Sequence, residues 1–261
     1  MPDAVLYETA GPIALITLNR PEARNAVNGA VAAGLEAAID QLEDASDVWV
    51  GILRANTDGQ ERPVFSAGAD LKELDAGNGA ALNTARGGFA GFAYRGRRKP
   101  MIAAVDGLAT AGGCEMALAC DLIVATTRSA FGLAEVKRNL VAGAGGLYRL
   151  PWAVGPGVAM EAILTGEPIP AERAHALGMV VRLVEPGEAE REARRLAEQI
   201  TAAAPLAVWE SRAVVRAASS ASEEELRTMT NRALGAVMSS DDLGEGLRAF
   251  IEKRPPKWQG R

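Results

Sequence analysis

Glu115 lies in Asp106-Gly-Leu-Ala-Thr-Ala-Gly-Gly-Cys-Glu-Met-Ala-Leu-Ala-Cys-Asp121, a stretch whose residue types and spacing can do chemistry. The apolar run over residues 101–105 ends at Asp106-Gly107 and reads as a buried strand entering a turn. Gly112 and Gly113 then open a helix-compatible segment, residues 114–120. Paired glycines let backbone approach a ligand without a Cβ in the way. The first amides of a helix lack intrahelical partners and carry the positive end of its dipole, so they can bind a developing oxyanion. Glu115 falls in that first turn and places a carboxylate beside the anion site. The plain alternative is a glycine turn with an acidic residue that only complements the dipole. This stretch alone does not choose between the two.

Two further pieces have the same character. Phe65-Ser-Ala-Gly-Ala-Asp70 precedes a short helical segment, Leu71-Lys-Glu-Leu74. Its small residues supply a second source of an amide donor, and an oxyanion site normally needs two. Phe131-Gly-Leu-Ala-Glu135, followed by Gly143-Ala-Gly-Gly146, supplies a second carboxylate and a close-packed or flexible loop before the next helix. Taken singly, one is a tight strand–helix turn and the other an ordinary exposed carboxylate.

The elements that must position these pieces alternate between strand and helix. Val5-Leu-Tyr-Glu-Thr and Ile13-Ala-Leu-Ile-Thr-Leu18 form a hairpin around Gly11-Pro12. Asn28 is an N-cap for a helix with Val31, Leu35, Ala38, Ile39 and Leu42 on one face. Val48-Trp-Val-Gly-Ile-Leu53 and Leu122-Ile-Val-Ala125 read as strands, which makes the class α/β with parallel strands joined by helices. After about residue 187 only helices are expected, over residues 188–202, 206–217, 222–238 and 242–253, with a capping box at Ser222-Glu-Glu-Glu225. A division follows, with a core over residues 1–190 and a helical oligomerisation region over 191–261.

Composition narrows the function. The 261 residues are 48% hydrophobic and 23% charged with a formal net charge of −5, which argues against a nucleic-acid binder. The basic run Arg95-Gly-Arg97-Arg98-Lys99 is expected to form a solvated face. Cys114 and Cys120 have neither metal-ligand nor disulfide spacing, which fits a reducing compartment. With no secretory signal pattern and no apolar run long enough to span a bilayer, a cytoplasmic protein without membrane partners is expected. His175 is the only histidine and sits in an ordinary short helix, so acid–base chemistry here falls to carboxylates.

In order along the chain, the three pieces resemble the crotonase (enoyl-CoA hydratase/isomerase) superfamily. The likeness runs from Asn19-Arg-Pro-Glu-Ala-Arg-Asn-Ala26 to Phe250-Ile-Glu-Lys-Arg254. It implies a ClpP/crotonase-like spiral of repeated β-β-α units, with a C-terminal helical region that builds trimers, often paired into hexamers. It implies that the amides of Ala69 and Gly112 form an oxyanion hole for a thioester carbonyl. Glu115 and Glu135 match the acid–base pair of the hydratases of that superfamily, with Glu115 activating water and Glu135 donating the proton.

Ala67, Asp70 and Leu71 match positions at the coenzyme A adenine, with Arg24, Ala26 and Leu108 nearby. Phe250 and Lys253 match tail positions that meet coenzyme A on a neighbouring subunit. Lys72, Arg24 and Lys253 are then reasonable phosphate partners. Coenzyme A would enter as part of the substrate, with no further cofactor and no metal. The implied activity is reversible hydration of a 2-trans-enoyl-CoA in fatty acid or related acyl-CoA metabolism. Three alternatives stand beside it: Δ3-Δ2 enoyl-CoA isomerisation by Glu135 alone, a dehydratase, and a non-catalytic thioester-binding scaffold.

Ala134 and Ala142 replace prolines common in the hydratases, and Ala111 replaces a third glycine, harmlessly provided its φ is negative. Gly87-Gly-Phe-Ala-Gly91 is similar to the carnitinyl-CoA dehydratase branch, and residues 77–98 are expected to shape the acyl pocket.

Overall fold

The structure, a computed structural model, describes residues 3–261. A hairpin, β1 (Val5–Ala10) and β2 (Ile13–Leu18), leads into α1 (Gly29–Asp44), whose first turn is capped by Asn28 accepting from the Val31 amide. Three β-β-α turns follow. The first is β3 (Val50–Ala55), β4 (Val64–Ser66) and α2 (Leu71–Asp75), succeeded by the two-residue strands β5 (Asn83–Thr84) and β6 (Gly88–Phe89). The second is β7 (Met101–Val105), β8 (Leu108–Thr110) and α3 (Gly112–Ala119). The third is β9 (Leu122–Thr126), β10 (Ala130–Gly132), a 3-10 turn Glu135–Arg138, and α4 (Gly146–Val154). Then come α5 (Pro156–Thr165), β11 (Ile169–Pro170), α6 (Ala171–Ala176), β12 (Arg182–Val184), α7 (Ala189–Thr201), α8 (Pro205–Ala217), α9 (Glu223–Met238) and α10 (Asp241–Glu252).

Each β-β-α turn gives its first strand to one sheet and its second to another. The large sheet runs β1-β2-β3-β7-β9-β12, parallel except for the hairpin, and the small one runs β11-β10-β8-β4. Both faces of the large sheet are covered along its inner strands, so β2, β3, β7 and β9 are apolar on both sides. Ile13, Leu15, Val50, Ile52, Ile102, Ala104 and Val124 face Ala189, Ala193 and Ala197 of α7. Alternate residues, among them Ile16, Leu53, Ala103 and Ala125, join the main core with the Leu35, Ile39 and Leu42 side of α1.

α7 therefore belongs to the covering of the core, and the expected division at residue 191 cuts through it. Three alanines one turn apart let this helix lie close on the sheet, although nearly half of its sequence is charged. The capping box of α9 is present as read, with Ser222 Oγ accepting from the Glu225 amide and Glu225 reaching back.

The basic run is not a solvated face throughout. Lys99 is 4% exposed and donates to the carbonyls of Leu42 and Ala45 at the C-terminus of α1, and Arg97 donates to Ala119 O at the end of α3. Cations there satisfy orphan carbonyls and complement the helix dipole, so Arg97 and Lys99 are drawn inward while Arg98 stays half-exposed. His175 Nδ1 lies 2.7 Å from Val180 O, a local role inside its turn. Both cysteines are free and buried in α3 or at its end, and burial pushes the Cys120 thiol up to about 12.

Asp121, just before β9, fastens α8 to the core. It accepts from the Met101 amide at 2.8 Å, from Arg212 Nε at 2.8 Å and from Arg216 Nη1 at 3.0 Å. Burial alone would raise its carboxyl. The Arg212 hydrogen bond and charge, the Arg97 charge and the Met101 amide together hold it below the ordinary value. Stability from this carboxylate is present at neutral pH and is lost as pH falls through its depressed folded-state value. Asp121→Ala leaves the Arg212 guanidinium, still bonded to Arg97 O, without its carboxylate at a site 11% exposed on either side, and is expected to cost about 3 kcal/mol in urea unfolding at pH 7. Its penalty should shrink toward acid pH.

Candidate active site

All three pieces singled out in the sequence lie at the ends of strands of the small sheet. β8 is the middle of the three, paired in parallel with β10 (Phe131 opposite Ala109) and with β4 (Val64 opposite Leu108). The connections leaving β4, β8 and β10 therefore emerge side by side.

The turn from β8 into α3 is made in one residue. Ala111 has φ +50° and ψ −129°, donates its amide to Gly132 O at 2.8 Å and accepts from the Glu115 amide at 3.1 Å. The condition under which this alanine would be harmless, a negative φ, is not met. The chain must pair with β10 and begin the helix at the same residue, and only a left-handed φ does both. A non-glycine residue held there stores on the order of 1–3 kcal/mol.

The turn after β4 packs directly on this one. Gly68, at φ +81°, could carry no side chain, because a Cβ would lie 2.8 Å from Gly112 N. At Gly113 a Cβ would lie 2.2 Å from Ser66 O. The turn is also tied to the segment before α1, since Val27 donates to Gly68 O at 2.7 Å and Asp70 donates to Val27 O at 2.9 Å. The amides of Ala69 and Gly112 are thus neighbours, and neither finds an acceptor among the described residues.

Glu115 is 3% exposed, yet its Oε1 accepts from the Ala144 amide at 2.7 Å and the Gly146 amide at 2.9 Å. Burial raises its carboxyl above the ordinary value, opposed by those two amides and by the charge of Arg149. The glycine-rich loop over residues 143–146 is therefore close-packed, and it cradles a carboxylate. Glu135 begins the 3-10 turn after β10, and its Oε2 is buried without a hydrogen-bond partner among the described residues. Burial pushes Glu135 up to about 7, helped by the Glu115 charge and held back by its own backbone amide and by Arg138. Two carboxylates thus share a site in unlike environments, one held by amides and one bare.

They open onto a cavity of about 770 Å³. Arg24, Ala26, Ala67, Ala69, Leu71, Leu108, Gly112, Glu115 and Glu135 all line it, as the sequence had grouped them. Asp70, Lys72, Phe250 and Lys253 do not. Asp70 is occupied in holding its own turn, paired with Arg20 at 3.0 Å and capping α2 through the Lys72 amide. Phe250 is 86% exposed on α10, and Lys253 ends that helix in a left-handed conformation. Phe89 and Tyr94 line the cavity from the segment expected to shape the acyl pocket, but neither had been singled out. Arg138 was missed too, although it sits three residues after Glu135, one turn along in a 3-10 helix. Among the described residues, no group of three or more His, Cys, Asp or Glu side chains is placed to hold a metal ion.

A family model described as enoyl-CoA hydratase/isomerase matches residues 8–261. The chain belongs to the enoyl-CoA hydratase/isomerase family. Its fold superposes on the crystal structure of an enoyl-CoA hydratase from Mycobacterium tuberculosis H37Rv with a TM-score of 0.93 at 46% identity, covering 99% of this chain and 100% of that one. A carnitinyl-CoA hydratase structure from Mycobacterium avium aligns with a TM-score of 0.77 at 38% identity, over 100% of both chains. A carnitinyl-CoA dehydratase of Salmonella typhi is 39% identical over 256 residues, 96% of each chain. The architecture of this family member is the crotonase spiral, with its β-β-α turns as described.

Relief of the strain at Ala111 is measurable. Ala111→Gly is expected to raise the urea unfolding free energy by about 1 kcal/mol, the strain relieved less the added freedom of glycine in the unfolded chain.

Proposed function

We propose that this family member catalyses reversible hydration of a 2-trans-enoyl-CoA thioester. The observation that carries the reading is the pairing of two free amides with two carboxylates of unlike environment around one cavity. The thioester oxygen accepts from the Ala69 and Gly112 amides, which stabilise the negative charge that develops on it. Glu115, kept receptive by the Ala144 and Gly146 amides, takes a proton from water as the water oxygen bonds to C3. The electrons of the C2–C3 double bond move toward the thioester carbonyl, and Glu135 delivers its proton to C2. Dehydration runs the same steps backward with the two carboxylates exchanging roles.

Coenzyme A belongs to the substrate, and the scheme uses no other cofactor. Ala26, Ala67, Leu71 and Leu108 line its path, with Arg24 as a phosphate partner; Lys72 and the Asp70 turn flank that path. Phe250 and Lys253 are assigned to coenzyme A held by a neighbouring subunit, in a homotrimer or dimer of trimers that residues 191–261 help to build. The exposure of Phe250 supports that assignment. A cytoplasmic location fits the substrate, and no helix among the described residues is long and apolar enough to cross a membrane. The 39% identity to carnitinyl-CoA dehydratases favours a second reading, dehydration of a bulkier 3-hydroxyacyl-CoA by the same groups.

Glu115→Gln and Glu135→Gln are each expected to lower kcat for crotonyl-CoA hydration by at least about a hundredfold while thioester binding persists. Retained turnover of a 3-enoyl-CoA in Glu115→Gln would reassign the enzyme as an isomerase. Hydration needs Glu135 protonated, so kcat/KM should fall as pH rises past about 7. It needs Glu115 ionised, so the rate should fall on the acid side as well, the two limbs belonging to the coupled pair. A rate that keeps rising above pH 8 would exclude Glu135 as the acid.

A further inference from the structure

The loop that cradles Glu115 is itself held, and the groups that hold it lie outside the acid–base pair. The Gly143 carbonyl and the Ala144 amide belong to one peptide unit. Its amide donates to Glu115 Oε1, and its carbonyl accepts from the Tyr94 hydroxyl at 2.6 Å. Behind the next peptide unit, Arg149 Nη1 donates to Ala144 O at 3.0 Å and Arg149 Nη2 donates to Ala93 O at 2.7 Å. The guanidinium also lies 5.6 Å from the Tyr94 ring centroid. Gly145 makes room for this arrangement, since a Cβ there would lie 2.5 Å from Arg149 Nη1. Tyr94 and Arg149 thus join the acyl-pocket segment to the cradle through three hydrogen bonds.

The geometry points to Tyr94, backed by Arg149, as a positioning residue that fixes and polarises the Gly143–Ala144 peptide so that its amide holds Glu115 ionised and aimed at water. This rests on Glu115 being the base of the proposed hydration. The physical reason is cooperative. A donor on the carbonyl of a peptide withdraws charge through the amide and strengthens the hydrogen bond that its N–H makes. It also stops the peptide from rotating, and in a four-residue loop containing three glycines little else would.

The acyl-pocket wall is thereby coupled to the base, because Tyr94 lines the cavity where the acyl chain would lie. The charged and titratable groups facing Glu115 are Arg149 on α4, Glu135 on the turn after β10, Tyr94 itself, and Cys114 on its own helix. Among these, Arg149 is the cation, and its bonds to Ala144 and Ala93 keep it there.

Tyr94→Phe removes only an oxygen from a side chain that is 48% exposed, so the variant should fold, which thermal melting checks. Its kcat on crotonyl-CoA is expected to drop about tenfold, with KM within about twofold. Weaker support for the ionised base raises its pKa, so the acid limb of kcat/KM should move up by about half a pH unit. The Glu115 carboxylate can also be titrated without turnover, from the infrared difference between each protein and its Glu115→Gln counterpart, and its midpoint should move the same way.

An unmoved infrared midpoint in Tyr94→Phe overturns the inference, whether or not kcat falls, because a purely structural role would not move it. If the unaltered protein hydrates no enoyl-CoA, the hydratase reading fails separately, and the infrared titration still decides the role of Tyr94.

Discussion

Parallel pairing of β8 between β4 and β10 is the constraint on which the site depends. Each of the three strands ends in a turn that carries one part of the candidate site. Pairing at a strand spacing of about 4.8 Å sets those turns beside one another. The spiral supplies this repeatedly, since each β-β-α unit adds its second strand to the same small sheet. Ligand sites outside the carboxyl ends of parallel strands follow from such geometry in open α/β sheets, and the same logic holds here. The large sheet, packed on both faces, provides the rigidity against which the turns are held.

Close approach of the β4 and β8 turns then makes the amide pair. Gly68 and Gly113 are needed because no Cβ fits between the two turns, while Ala111 has a methyl group where the backbone asks for glycine. Its strain is tolerated because both of its backbone groups are already committed, to Gly132 and to Glu115. Releasing the strained φ would break a strand bond or a helix bond, each worth about 1 kcal/mol and more where the freed group stays buried.

Much of this was legible in the sequence, and for identifiable reasons. Hydrophobic periodicity gave α1 with its buried face, and Asn28 gave its cap, because both signals are local. The backbone-built part of the site was legible as well, since glycine at Gly112 and Gly113 marks close approach whatever the partner is. Three things were not. The inward fate of Arg97 and Lys99 depends on helix ends distant in sequence. The sign of φ at Ala111 depends on its pairing with β10. The seat of α7 on the large sheet depends on which face of its alanine row meets a partner. Each is set by tertiary contact, which periodicity does not encode.

The unlike states of the two carboxylates, on which their proposed roles rest, follow from what each lacks. An ionised carboxylate buried without donors is costly, so a group in that position keeps its proton. Glu115 is the more buried of the two but has two amides on one oxygen, and Glu135 has an orphan oxygen and a value near 7. Donors to the charged form thus decide the difference, and they come from a loop that carries no side-chain chemistry of its own. In the proposed hydration, backbone supplies both the oxyanion donors and the support for the base, which leaves side-chain variation in the cavity wall to set which acyl chain is accepted. Tyr94 is the point where that freedom ends, since it belongs to the wall and also bonds to the loop that holds Glu115.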